Sequence, residues 1–189
     1  MLILAEYYFD METTGFDFDK DEIITIQWQQ LDGFTGEPIG NLKTLKRWEY
    51  QDKENAEKEM IKAFITNLRR NPFDFIFVGK NMSFDFCLLN ERMKKYGLGE
   101  LDLRWLHERV SLDLKPILVI MNKGNFIGYH KVLPKTNPIE NKEIPELYRQ
   151  GKYEEISQYV EDEVEDFLNA YQIFKKEIPK LKNLIWEGS

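Results

Sequence analysis

Two carboxylates near the end of an apolar, aromatic run constrain the fold of this chain more than any other feature. Residues 3–11 are typical of a buried β-strand, and Asp10 and Glu12 stand two positions apart near its end. Side chains at this spacing point to the same face of a strand, roughly 6 to 7 Å apart. Carboxylates on a buried face are costly unless a cation lies between them, and Mg²⁺ favours such oxygen ligands. A strand end that emerges into solvent is the alternative interpretation of this pair.

The segments that follow predict an α/β fold. Residues 22–31 and 39–48 are strand-like and are separated by turn residues, which indicates a three-stranded antiparallel meander. Later segments alternate between strand and helix, so we expect a mixed sheet, antiparallel hairpins first and then parallel strands, flanked by helices. A single domain over residues 1–189 is expected. The later predicted elements are helix 54–70, strand 73–78, helix 82–96, a strand near Val110, helix 115–121 and a helical region over 145–178, with Gly151 as a candidate break.

Charge and composition exclude several classes of protein. The formal net charge is −7, which argues against a non-specific DNA coat but not against a nuclease, whose acidic metal site carries its own cations. The single cysteine, Cys87, excludes a disulfide scaffold and favours a reducing compartment. No apolar run exceeds five residues, and the N-terminus lacks a basic segment. We therefore expect a cytoplasmic protein that does not enter a membrane.

A segment rich in glycine, proline and lysine stands out against this acidic background. Residues 122–142 contain four lysines and one glutamate and predict a long, mobile, locally basic loop. An ordinary solvated loop is the alternative. If the loop has a function, Lys123, Lys131 and Lys135 are the candidates for holding a single nucleic-acid strand.

Two further segments carry candidate functional residues. Asn81, Phe84 and Asp85 follow a predicted strand and open a helix, which places Asp85 at the end of a sheet where ligands commonly bind. Taken alone, an aspartate there is more often a favourable partner of the helix dipole. Tyr159 and several acids lie on the last helix, where acidic runs are usually solvated.

Taken together, three segments resemble the DEDD superfamily of 3′-to-5′ exonucleases. Residues 9–15 match its FDxETTG motif, and residues 81–85 match its NxxFD motif. Residues 159–163 match the Tyr-x-x-x-Asp motif of the tyrosine subclass, with Glu163 in place of the aspartate. The three motifs occur in order over nearly the whole chain. The third departs from the family pattern, which bears directly on the metal geometry.

The resemblance implies an RNase H-like fold and hydrolysis of phosphodiester bonds with two Mg²⁺ or Mn²⁺ ions. Asp10 would bridge the ions, Glu12 and the acid of the third motif would hold the ion that activates water, and Asp85 would support the site. Tyr159 would orient the water, because a phenol with a reference pKa of about 10 is a poor base. The expected substrate contacts are made by the exposed backbone of Thr13 and Thr14, by Asn81 and by Phe84.

Three acids on the last helix compete to complete this site. The apolar residues from Val160 to Ile178 define a buried stripe, and on a helical wheel Glu163 falls at its edge, near Tyr159. Asp162 points towards solvent on this wheel, and Asp166 lies between the two. We therefore predict Glu163 as the third-motif acid. Its longer side chain loosens the metal geometry, which predicts a faster rate with Mn²⁺ than with Mg²⁺.

The function expected from the sequence is a metal-dependent 3′-to-5′ exonuclease that acts on the 3′ end of single-stranded nucleic acid, with DNA favoured. Two alternatives stay open: an exoribonuclease acting on short RNA, and a catalytically impaired nucleic-acid-binding module of the same fold. DNA repair is the expected setting. A homo-oligomer and a subunit of a repair or replication complex are both compatible with the sequence.

Overall fold

The computed structural model describes residues 5–69, 75–101 and 111–187. The predicted helix stop at Asn71 and Pro72 lies outside these residues. A five-stranded sheet has the order β3-β2-β1-β4-β5. Its strands are β1 (Ala5–Thr13), β2 (Ile23–Leu31), β3 (Pro38–Lys46), β4 (Phe75–Gly79) and β5 (Ser111–Asp113).

The pairing of the strands confirms the predicted mixed sheet. β1 pairs antiparallel with β2, and β2 pairs antiparallel with β3. On the other side β1 pairs parallel with β4, and β4 pairs parallel with β5. Residues 75–79 thus form the predicted strand in the interior of the sheet, between β1 and β5.

The described helices are α1 (Ala56–Arg69), α2 (Met82–Lys95), α3 (Lys115–Met121), α4 (Ile144–Arg149) and α5 (Tyr153–Glu187). Gly151 adopts a left-handed φ of 72° between α4 and α5, so the candidate break is real. α5 continues through Pro179 to Glu187, beyond the predicted end at residue 178. Among the described residues, no helix combines the length and the hydropathy needed to cross a membrane.

The alternation of β1 divides the core into two parts. Phe9 and Met11 belong to the cluster on the side of α1 and α2, whereas Tyr8 belongs to the cluster that includes Val160 of α5. Because side chains alternate along a strand, the even-numbered acids of β1 share the face of Tyr8. The fold therefore places these acids against α5.

The predicted long loop is more ordered than its composition indicates. It contains 3-10 helices at Tyr129–Val132 and Asn141–Glu143. Leu133 and Ile139 are partly buried against the α5-side core, and the backbone N–H of Thr136 donates to Asp166 Oδ2 at 2.8 Å. The apolar residues spaced between its prolines and glycines anchor this segment to α5.

Candidate active site

The predicted acids of the first and third motifs meet at one place. Asp10 and Glu12 come from β1 and Glu163 comes from α5, and each offers a carboxylate oxygen within 4.8 Å of those of the other two. The pleat of β1 and the turn of α5 create this cluster, because each supplies its acids on the face that packs against the other. We call these three residues the acidic cluster.

Asp85 adds a fourth buried carboxylate beside the acidic cluster. It lies in the first turn of α2 and is only 4 % exposed. Burial raises the pKa of Asp85 well above its usual value, and the charge of Asp10 raises it further. The two motif acids Asp10 and Asp85 therefore interact electrostatically, although they come from different elements.

The acids of β1 are held at an electrostatic cost. Burial, followed by the charge of Glu163, raises the pKa of Asp10 from 3.8 to about 7, although Lys80 and a hydrogen bond from Gln27 act in the opposite direction. Gln27 Nε2 donates to Asp10 Oδ2 at 2.9 Å. Burial and the charges of Glu163 and Asp10 also raise the pKa of Glu12 well above its usual value. A cation placed among these carboxylates would relieve their repulsion.

One charged residue at this place, Lys80, was not predicted from the sequence. Lys80 Nζ donates to Glu163 Oε1 at 2.8 Å. Burial raises the pKa of Glu163, but the Lys80 ammonium, the Tyr159 hydroxyl and the charge of Lys135 together outweigh burial, so the net pKa is lowered. Burial lowers the pKa of Lys80, whereas the nearby carboxylates, Glu163 above all, raise it. The net pKa of Lys80 is raised. The available signal was a lysine directly before Asn81 of the second motif.

One carboxylate oxygen of this site is available as a ligand for a metal ion. Glu163 Oε2 is buried and accepts no hydrogen bond of normal geometry among the described residues, although the Tyr159 hydroxyl lies close enough to lower the pKa of this carboxylate. A buried acceptor without a partner is costly, and a hard divalent cation is a ligand that such an oxygen accepts. The donor set, carboxylates only, is also the set that Mg²⁺ and Mn²⁺ favour. The residues present fit a divalent cation.

Tyr159 lies next to the acidic cluster and is fully buried. Its hydroxyl donates to Asn141 Oδ1 at 2.5 Å. Burial, then the charges of Glu12 and Glu163, raise the pKa of Tyr159 above its usual value. The phenol therefore keeps its proton at neutral pH and acts as a hydrogen-bond donor, not as a base.

Asn81 closes the turn between β4 and α2 in a left-handed conformation, with φ 65°. Its backbone N–H donates to Asp113 Oδ1 at 2.8 Å, and its own Oδ1 accepts from Lys115 Nζ at 2.6 Å. The end of β5 and the start of α3 therefore hold this turn. These contacts give Asn81 a structural role beside the substrate role expected from the resemblance.

An exposed group of aromatic rings surrounds Phe84. The ring centroids of Phe16 and Phe18 lie 5.6 and 5.5 Å from that of Phe84. Phe16 is 77 % exposed, which is unusual for so large an apolar side chain. Of these three residues only Phe84 was predicted from the sequence, although Phe16 and Phe18 follow soon after the first motif. We call these three residues the phenylalanine group.

The Thr14 amide of the first motif is not exposed in the way that the resemblance implies. The backbone N–H of Thr14 donates to the carbonyl of Glu22 at 2.9 Å, and its hydroxyl donates to Asp21 at 3.0 Å. The Thr13 hydroxyl donates to the carbonyl of Gly15 at 2.7 Å. The Thr14 amide is therefore not free to grip a nucleotide, because the antiparallel pairing of β1 and β2 continues through it.

The three candidate lysines of residues 122–142 lie in different settings. Lys135 Nζ lies 4.8 Å from the ring centroid of Tyr159, beside the acidic cluster. Lys131 is exposed on a 3-10 helix, and Lys123 is exposed in the turn after α3 with a φ of 57°. The structure places only Lys135 of the three in contact with a residue of the site.

The other two acids that compete on α5 bind the preceding segment. Asp162 accepts from Asn137 Nδ2 at 2.6 Å, and Asp166 accepts from the backbone of Thr136 at 2.8 Å. The prediction that Asp162 points towards solvent is therefore wrong, because residues 136–137 cover that side of the helix. Glu163 is the acid of the three that joins the acidic cluster.

Comparison with known protein families identifies the fold. A family model described as the RNase H superfamily matches residues 7–131, which is more than half of the chain. The chain belongs to the RNase H superfamily. The matched residues of this superfamily member include Asp10, Glu12 and Asp85. No curated protein matches the chain in sequence.

Solved structures of exonuclease I share the fold of this RNase H superfamily member at low sequence identity. The enzyme from Methylocaldum szegediense has a TM-score of 0.56 at 13 % identity and covers 97 % of this chain and 43 % of its own. The metal-free E. coli ExoI–ssDNA complex has a TM-score of 0.57 at 16 % identity, with coverages of 97 % and 42 %. Its zinc-bound form has a TM-score of 0.55 at 15 % identity, with coverages of 97 % and 43 %. The chain thus spans less than half the length of these proteins.

Proposed function

We propose that this chain is a divalent-metal-dependent 3′-to-5′ exonuclease of the DEDD type that acts on single-stranded DNA. The observation that carries the proposal is the acidic cluster, in which Asp10, Glu12 and Glu163 offer oxygens within 4.8 Å of one another. Three of the four DEDD-motif acids thus meet in a single cluster, and the fourth, Asp85, is buried beside it. The similarity of fold to exonuclease I bound to single-stranded DNA supports the choice of substrate.

Each residue of the site has a distinct task in this proposal. Asp10, Glu12 and Glu163 hold the metal, and Asp85 adds negative charge beside them. When bound, a divalent cation lowers the pKa of water to near neutrality and neutralises charge that develops on the phosphate. Tyr159 keeps its proton, and its hydroxyl, which donates to Asn141 in this structure, would turn to the attacking water to orient it. The resemblance implies two bound ions.

Two features of this chain are suited to binding a single strand. Phe16 and Phe18 of the phenylalanine group are exposed, and bases of a single strand stack on such rings without regard to sequence. Lys135 supplies a positive charge for phosphates in a chain whose net charge is −7. Paired bases would have to separate before they could stack there, so we expect single strands to be cut faster than blunt duplexes.

A timed digest tests this proposal. The full chain is incubated with 5′-labelled single-stranded DNA, duplex DNA or RNA, in Mg²⁺, Mn²⁺ or EDTA. We expect the fastest shortening with single-stranded DNA, a faster rate in Mn²⁺ than in Mg²⁺, and none in EDTA. Faster digestion of RNA would instead identify an exoribonuclease. Digestion in EDTA at the same rate as in Mn²⁺ would refute the proposal that hydrolysis depends on a metal ion.

Two observations favour a second candidate, a nucleic-acid-binding module without catalysis. Glu163 replaces the aspartate of the third motif, and Lys80 already forms an ion pair with it at 2.8 Å. A module of this kind would bind single-stranded DNA with the same affinity in EDTA and in Mn²⁺ and would leave it intact. Titration of a fluorescent oligonucleotide beside the digest separates the two candidates.

A further inference from the structure

Lys80 lies in a turn whose backbone is held on both sides. A Cβ added to Gly79 would lie 2.7 Å from the carbonyl oxygen of Phe9, so this position requires glycine for the close approach of β4 to β1. On the other side, Asp113 accepts the backbone N–H of Asn81 at 2.8 Å. The base of the Lys80 side chain is therefore fixed relative to β1 and its acids.

The Lys80 side chain is a component of the acidic site and not a surface neighbour. Its Nζ lies 2.8 Å from Glu163 Oε1, and three quarters of the side chain is shielded from solvent. Asp10 and Glu12 act on the same ammonium electrostatically. One positive charge thus already lies among the four carboxylates, on the side of Glu163.

The position of the Lys80 ammonium beside Glu163 disfavours the binding of a second divalent ion. In two-metal sites the ions lie about 3.5 to 4 Å apart and share the surrounding carboxylates. A second ion would have to bind Glu163 Oε1, which already accepts a hydrogen bond from Lys80 Nζ at 2.8 Å, so this ion and the ammonium would compete for one oxygen and repel each other. Asp10, Glu12 and the free oxygen Glu163 Oε2 still suffice to hold one ion.

We propose that Lys80 takes the place of the second divalent ion, so that this site binds a single ion and the lysine supplies the other positive charge to the scissile phosphate. The inference rests on the proposed function, because the same acids hold the ion and the same phosphate is the target. An ammonium can donate hydrogen bonds to phosphate oxygens as the P–O bond to the 3′ oxygen breaks, but it does not activate water. Activation of water therefore stays with the single metal ion.

Ion counting tests the inference without relying on turnover. Free Mn²⁺ is measured by electron paramagnetic resonance while the full chain is titrated at neutral pH. We expect one ion per wild-type chain and one for Lys80→Arg, which keeps the charge. Lys80→Gln removes the charge, and we expect it to bind two. Lys94→Gln, which removes an exposed lysine of α2 paired with Glu91, is the matched control and should bind one.

Two results would overturn the inference. Two ions bound by the wild-type chain would show that Lys80 moves aside, and this result needs no variant. One ion bound by folded Lys80→Gln would show that the lysine does not exclude the second ion, and circular dichroism checks that the variant is folded. Failure of the proposed function is separate: a wild-type chain that binds one Mn²⁺ but cuts no substrate would refute the exonuclease and leave the ion count standing.

Discussion

Replacing Asp10 by asparagine is expected to stabilise the metal-free protein at high pH. Asp10 has a pKa raised from 3.8 to about 7 in the folded chain, mainly by burial and by the charge of Glu163. Because the pKa of Asp10 is higher in the folded chain than in the unfolded chain, the folded chain binds this proton more tightly. The free energy of unfolding therefore falls as the pH rises from about 4 to about 7. Asparagine has nearly the same shape, can still accept the hydrogen bond from Gln27, and carries no charge.

The size of this effect follows from the shift in pKa. A shift of about three units at roughly 1.4 kcal/mol per unit amounts to about 4 kcal/mol of stability lost above pH 7. Because Glu12 and Glu163 share the same repulsion, we expect Asp10→Asn to gain roughly 2 to 4 kcal/mol at pH 8. At pH 5 the wild-type carboxyl is already mostly protonated in the folded chain, so the gain there should be smaller by about 1 to 2 kcal/mol.

The measurement is urea unfolding in EDTA at pH 5 and pH 8, for the wild-type chain and for Asp10→Asn. Asp162→Asn is the matched control, because Asp162 lies on α5 outside the acidic cluster and bonds to Asn137 and Gln158. Added Mn²⁺ at pH 8 should stabilise the wild-type chain and have less effect on Asp10→Asn. A gain for Asp10→Asn that is the same at both pH values, or no gain at all, would refute the electrostatic account of the cluster.

Three further predictions concern turnover and binding. Glu163→Gln should lower kcat about 100-fold or more, because the ion would lose a correctly placed ligand, whereas Asp162→Asn should retain near wild-type kcat. Phe16→Ala should raise the KM for single-stranded DNA about 5-fold or more, in line with roughly 1 to 3 kcal/mol per stacked base. Lys135→Gln should reduce the slope of log K against log salt by about one, and Lys123→Gln should leave it unchanged.

Each of these predictions has a result that contradicts it. An inactive Asp162→Asn beside an active Glu163→Gln would reverse the assignment of the third motif. An unchanged KM in Phe16→Ala would show that the exposed ring has no part in binding the strand. Equal salt slopes for the Lys135 and Lys123 variants would show that the position of Lys135 beside Tyr159 does not matter for phosphate binding.

Local periodicity was sufficient to predict much of the fold and the face on which each acid lies, whereas the expectation that these acids form one site came from the resemblance to the DEDD motifs. The spacing of Asp10 and Glu12 places both on one face of β1 because side chains alternate along a strand. The apolar stripe of α5 places Glu163 at the edge of its buried face for the same kind of reason. In both cases the face on which an acid lies follows from the periodicity of a single strand or helix and from the positions of its apolar residues.

The features that sequence reasoning missed depend on contacts between distant elements. Lys80 is a turn residue, and its role follows from the approach of the β4–α2 turn to Glu163, 83 positions later in the chain. The position of Asp162 follows from the packing of Asn137 on α5, which no periodicity within the helix reveals. The phenylalanine group likewise joins the loop after β1 to the first turn of α2.

The central claim is that this chain removes nucleotides from the 3′ end of single-stranded DNA by metal-dependent hydrolysis. The most direct measurement follows a 5′-labelled oligonucleotide in Mn²⁺ over time and identifies the released product by mass spectrometry. The account predicts a ladder that shortens from the 3′ end, release of 5′-mononucleotides, and no reaction with Asp10→Asn purified in the same way. Immediate release of the labelled 5′ end, or the same ladder with Asp10→Asn, would contradict it.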